Sequence, residues 1–269
     1  MQYQKIFFLI ILISISTVLI SNQLQSTDNI SILVNDSGPF IGTSIPYQSG
    51  YDGSGIVISI IDTGIDDTLP SLQGKIVTQV CILEFTLCPN GTSFEESPRA
   101  AVIPSNFINS NGFEHGTQMA STLLLANPNL NIVFIRIVGN NSTGGRINPT
   151  ASSVDKALTW VKNNSSKYNI QAVTMSQGHH NLGPAGTDYC PKTPVTEQTI
   201  KDLIAINVAT FFAVGNGSDY KRIDWPSCIE SSVAVSQACK AIAISTACAG
   251  VSAILETRNC ASAPNKLAI

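Results

Sequence analysis

The chain has 269 residues, 43% of them hydrophobic and 12% charged, with a net charge of −3. That balance supports a large buried core and excludes a disordered or fibrous chain. No run of Lys or Arg occurs, so nucleic acid is not expected as a partner.

The first element is apolar. Lys5 precedes Ile6–Ile20, which carries no charge and gives way to Ser21-Asn22-Gln23. One positive charge before a short apolar run reads as a secretory signal. A membrane anchor is the alternative, although a spanning helix needs about 20 apolar residues. Residues 1–21 are therefore expected to be a signal peptide or anchor, and a membrane is a partner only if that segment is uncleaved. Residues 22–50 are polar and hold Pro39 and Pro46, as in a linker or N-terminal arm. Residues 51–269 are expected to form one domain, divergent or truncated after about 237.

From Gly55 the pattern changes. Continuous β-branched or aromatic runs occur at Gly55–Asp62, Asn131–Gly139, Ile170–Ser176, Val208–Gly215 and Ser232–Ser236. Runs of this kind suit strands buried on both faces of a parallel sheet. Helical patterns lie between them. Thr117–Ala126 is one. Ser152–Asn164 has serine caps and apolar Val154, Leu158 and Val161, and Pro194–Asn207 sets Ile200, Leu203 and Ile204 on one face. Strands alternating with helices predict an α/β fold, a doubly wound and mostly parallel sheet with helices on both faces. Sites on such sheets open at the carboxyl ends of the strands.

Seven cysteines are present. In an oxidising compartment Cys81 with Cys88, and Cys190 with Cys228, are the candidate pairs. Cys239, Cys248 and Cys260 make the total odd, which leaves a free thiol. No C-x-x-C occurs, so no metal site is expected, and no cofactor is expected either. N-x-S/T sequons at Asn29, Asn35, Asn90, Asn140, Asn141, Asn163 and Asn164, and a further one at Asn216, agree with export, or arise by chance in an Asn- and Ser-rich chain.

Three short motifs sit where a site would open. Asp62-Thr63-Gly64 follows the first run. A carboxylate there can orient a histidine, or it can simply form a turn. His115-Gly116-Thr117 heads the first helix, and a neutral imidazole is the usual base near pH 7. Asn216, between Gly215 and Gly217, offers an amide donor suited to an oxyanion.

Together these motifs resemble those of the subtilases, the subtilisin-like serine proteases of peptidase family S8. Tyr51–Ile65 is similar to their Asp motif, and Glu114–Ser121 to H-G-T-x-x-A. Thr174-Met175-Ser176-Gln177-Gly178 resembles their substrate-lining M-S-x-G strand. Val208–Ser218 resembles the A-A-G-N segment. The resemblance covers about residues 50–237. It implies that Asp62 orients His115, that His115 is base and then acid, and that Asn216 donates to the oxyanion. It further implies that Ser176, Gln177 and Gly178 hold the substrate backbone by strand pairing, while Gly215 and Ala213–Val214 line the pocket for the side chain before the scissile bond. Val214 hints at an apolar preference there. The expected partner is a peptide or protein substrate.

The nucleophile motif G-T-S does not follow Asn216; Gly42-Thr43-Ser44 lies in the N-terminal arm. Either the chain stops short of that motif, or Ala249–Leu255 is the remnant of the nucleophile helix. In the second register Ser245 is the candidate nucleophile, ahead of Ser252. The expected activity is serine-type peptide hydrolysis through an Asp-His-Ser triad. The alternative is a non-catalytic module that binds extended peptides in the same cleft. A nucleotide-binding protein is disfavoured, because no G-x-G-x-x-G follows the first strand and no P-loop exists.

Overall fold

The structure is a computed structural model, and it describes residues 48–104, 107, 112–179, 189–216 and 223–235. The chain divides into Met1–Tyr51 and Asp52–Ile269. The description below concerns the second unit.

Among the described residues nine strands and three α-helices follow one another: β1 (Val57–Asp62), β2 (Ile76–Ile82), β3 (Phe94–Ser97), α1 (His115–Ala126), β4 (Asn131–Arg136), β5 (Gly139–Asn140), β6 (Arg146–Ile147), α2 (Ala151–Tyr168), β7 (Ile170–Met175), α3 (Pro194–Ala205), β8 (Ala209–Ala213) and β9 (Val233–Val235). Seven strands form one sheet in the order β3-β2-β4-β1-β7-β8-β9, and β5 and β6 form a small hairpin. All neighbours in the large sheet run parallel except β2 and β3. The predicted doubly wound α/β fold is therefore present, with β1 at the centre.

Alternation along the central strands divides their side chains between two layers. Ile61, Val133, Ile135, Val173 and Met175 pack beneath Val154, Leu158 and Val161 of α2 and Ile200 and Leu203 of α3. Ile60, Ile132 and Phe134 meet Ala120 and Leu124 of α1 on the other face. Burying each such aliphatic side chain contributes about 1.5–3 kcal/mol. This two-sided burial explains why β1 and β4 read as unbroken apolar runs.

The sequence reading did not include β3 or the β5–β6 hairpin, and it also differs at β2 and in the length of α2. β2 was not expected, because Thr78-Gln79 interrupts its apolar residues. Gln79 is nevertheless buried and fully engaged: its Nε2 donates to Asp67 Oδ2 at 2.9 Å, and its Oε1 accepts from the Ala101 N–H at 3.1 Å. A buried amide with both ends bonded loses little on desolvation. α2 runs past Asn164 to Tyr168. Thr150 closes its start in a capping box with Ser153, and Asn169 ends it in a left-handed conformation at φ 54°.

The loop after β2 is tied to the head of α2. Cys81 and Cys88 are bonded, as are Cys190 and Cys228, which are the two expected pairs. Cys239, Cys248 and Cys260 lie outside the described residues. Within the first loop Glu84 accepts from the Thr150 hydroxyl and pairs with Lys156 at 2.9 Å. The Ser152 hydroxyl foremost, then Thr150 and Lys156, hold the Glu84 carboxyl down to about 2. A depressed carboxyl stabilises the fold above its ordinary pKa of 4.5. That contribution is lost as pH falls from there towards the folded value. Glu84→Gln is expected to lower stability at pH 7 by about 1–3 kcal/mol, with the deficit shrinking in acid. Urea titrations at pH 7 and pH 3 check this.

Candidate active site

The site begins at the carboxyl end of β1. Asp62 is fully buried there. Its Oδ1 accepts from the Thr63 N–H at 2.6 Å, from His115 Nδ1 at 2.9 Å and from Gln177 Nε2 at 3.1 Å; its Oδ2 lies 3.1 Å from the same His115 nitrogen. Only a protonated Nδ1 can donate to a carboxylate. The neutral imidazole is thus fixed as the tautomer whose Nε2 is free to take a proton.

Thr63 and the two glycines explain why β1 and α1 meet so closely. The Thr63 hydroxyl donates to the Phe113 carbonyl at 2.8 Å and accepts from the Gly116 N–H at 3.0 Å. It clamps both sides of His115. Gly64 turns the chain at φ 136°, where a Cβ would press on Ile103 and on the Ala101 carbonyl. A Cβ on Gly116 would stand 2.4 Å from the Gly64 carbonyl oxygen and 2.7 Å from the Phe134 ring. The small residues of D-T-G and H-G-T are thus a packing requirement that brings the helix head against the strand end. Thr117 adds a further tie, accepting from the Asp66 N–H at 2.9 Å.

The His115 side chain is 31% exposed. Its pKa lies above the ordinary 6.5, chiefly through the hydrogen bond to Asp62. Burial and the Arg146 charge oppose that rise, whereas the Asp62 and Glu114 charges support it. A raised histidine stabilises the fold fully below the unfolded pKa of about 6.5. The stabilisation fades as pH climbs through the folded value. Stability measured by urea from pH 5.5 to 8.5 is expected to decline over that window, and the decline is expected to flatten in His115→Gln.

The remaining predicted residues follow the next two strands. Pairing of β7 with β1 and with β8 ends at Met175, so Ser176, Gln177 and Gly178 lie just beyond the ladder. The side chain of Gln177 reaches Asp62 and His115, a contact the sequence reading did not include. Gly178 is confined by Trp225, whose carbonyl would lie 2.8 Å from a Cβ. Gly215 follows β8 at φ 93°, with the Asp224 carboxylate filling the place of a side chain. Asn216 is exposed next to it, and its side-chain amide makes no hydrogen bond within the described residues. Ser245, Ser252 and His180 lie outside the described residues.

Arg146, in the β5–β6 hairpin, was not anticipated. Its Nη2 donates to Gln177 Oε1 at 2.9 Å. Nothing in the stretch N-N-S-T-G-G-R marks it as a site residue, because its role depends on a contact 31 residues along the chain.

Fold and site together define an α/β protein that holds a carboxylate–imidazole pair at the carboxyl edge of its sheet. The chain belongs to the subtilase family: the Peptidase_S8 family model, described as the subtilase family, matches residues 53–264. It is 28% identical over 139 residues to the minor extracellular protease Vpr of Bacillus subtilis (strain 168), covering 49% of this chain and 16% of that protein. A solved structure described as proteases from Pseudoalteromonas arctica PAMC 21717 superposes with a TM-score of 0.51 at 20% identity. That match covers 70% of this chain and 57% of the other. Fervidolysin from Fervidobacterium pennivorans, described as a keratinolytic enzyme related to subtilisin, matches at 19% identity and a TM-score of 0.44, over 65% of this chain and 23% of the other. The chain thus spans little of the length of Vpr and about half that of the Pseudoalteromonas protein. Among the described residues no helix is long and apolar enough to cross a membrane.

Proposed function

We propose that this chain carries the catalytic body of an exported serine endopeptidase. The observation that supports this most strongly is the buried Asp62 carboxylate 2.9 Å from His115 Nδ1. In the proposed reaction His115 Nε2 takes the proton of a serine hydroxyl as its oxygen bonds to the scissile carbonyl carbon. His115 then returns that proton to the leaving amine, and water releases the acyl group by the same route. Asn216 would donate to the oxyanion, and Ser176–Gly178 and Gly215 would align the substrate chain. Two disulfides in the described residues favour an oxidising compartment, in keeping with export.

A second reading is a peptide-binding module that holds extended chains in the same cleft without acyl transfer. A fluorophosphonate probe separates the two. The enzyme reading expects one labelled serine in the full-length folded protein, with labelling lost in His115→Ala. Absence of label from folded, disulfide-intact protein would favour the module.

A further inference from the structure

Gln177 and Arg146 together form a polar chain that ends on the candidate base. Arg146 Nη2 donates to Gln177 Oε1 at 2.9 Å, and Gln177 Nε2 donates to Asp62 Oδ1 at 3.1 Å. The same Gln177 nitrogen lies 3.2 Å from His115 Nδ1. Both nitrogens converge on one carboxylate oxygen.

The direction of the Gln177 amide follows from the inventory of donors. Arginine has no acceptor, so only the amide carbonyl can face it. The amide N–H is then directed at Asp62. Turned the other way, the carbonyl would stand beside Nδ1 and compete with Asp62 for its proton. Arg146 removes that option. It is half-buried, its Nε is enclosed without a partner, and it has no ion pair with a described carboxylate. A Cβ on Gly112 would stand 3.1 Å from its Nη1, so the hairpin side chain is also confined sterically.

We infer that Gln177, locked in orientation by Arg146, is a positioning residue that sets the pH above which His115 is a neutral base. Oδ1 of Asp62 divides its charge among three donors: the Thr63 N–H, His115 and Gln177. Each added donor weakens its hold on an imidazolium. The charged groups facing His115 are Asp62 on β1, Glu114 beside it at the head of α1, and Arg146 on β6. Two carboxylates favour the protonated ring. The Arg146–Gln177 bridge opposes them, by charge and by hydrogen bond. The consequence for catalysis rests on the peptidase reading; the effect on His115 does not.

The test is an NMR titration of the full-length protein carrying labelled histidine, with the His115 signal identified by its loss in His115→Gln. Gln177→Leu and Arg146→Met are each expected to move the His115 midpoint upward. Arg146→Met is expected to move it less when Leu occupies position 177, because the bridge is already gone. Arg146→Lys keeps a charge and a donor and is expected to restore most of the parent midpoint. It also serves if Arg146→Met does not fold. An unchanged midpoint in folded Gln177→Leu would overturn the proposal. So would an equal Arg146→Met shift in both backgrounds, since the guanidinium would then act only through space. The titration needs no turnover. Lack of hydrolysis would count against the peptidase reading alone, and an unmoved midpoint against the bridge alone.

Discussion

Asp62→Asn is expected to reduce kcat for peptide hydrolysis by about 10,000-fold while leaving the fold in place. The reason lies in the crowding at Oδ1. The Thr63 N–H and the Gln177 amide both donate to that oxygen, so an asparagine must keep its carbonyl there. Its NH2 group then occupies the place of Oδ2, 3.1 Å from His115 Nδ1. A donor facing Nδ1 favours the tautomer with the proton on Nε2, which cannot act as base. The raised histidine pKa should fall as well, because its first cause is removed. The signature is a large loss in kcat with little change in KM, read from initial rates on a short peptide. A fall of less than 10-fold would mean that Asp62 does not orient the base.

Gly116→Ala should damage both stability and chemistry. The added carbon would stand 2.4 Å from the Gly64 carbonyl oxygen, 2.7 Å from the Phe134 ring and 3.2 Å from Asp62 Cβ. Two of these neighbours belong to the strand end and its turn, which cannot rotate aside as a flexible side chain would. Helix α1 must move outward and carry His115 with it. Overpacking of this kind costs about 1–3 kcal/mol. For a domain of this size that lowers Tm by about 2–4 °C for each kcal/mol. A displacement of about 1 Å at the base would lower kcat a further 100-fold. Thermal denaturation and initial rates on the same preparation measure both effects. Unchanged Tm and unchanged rate would show that the helix does not bear on β1 as described.

Much of this was readable from local sequence. β1 and β4 are buried on both faces, so their apolar runs are nearly unbroken, and the centre of the sheet could be anticipated from them. β2 could not, because Gln79 sits inside the fold with partners 12 and 22 residues away. The length of α2 was also hidden, since Ser165 and Tyr168 look like loop residues. Both are held in place: the Ser165 hydroxyl donates to the Lys162 carbonyl at 3.2 Å, and the Tyr168 hydroxyl bonds Glu96.

The candidate site divides in the same way. Asp62 and His115 stand in short motifs whose glycines and threonines are needed for close packing, so the motif announces the geometry. Thr63 was given no role of its own, though its hydroxyl joins both sides of the histidine. Gln177 was assigned a backbone role, and its side-chain contact with Asp62, 115 residues away, has no local sign. Arg146 has none either. Side chains that meet across the fold leave no periodicity to read.

The most direct test of the account is a burst experiment with an activated nitrophenyl ester. If the Asp62–His115 pair drives acyl transfer, the full-length folded protein should release close to one equivalent of nitrophenol before a slower steady phase, and His115→Ala should abolish that burst. A folded, disulfide-intact protein with no burst, or a burst that survives the loss of His115, would contradict it.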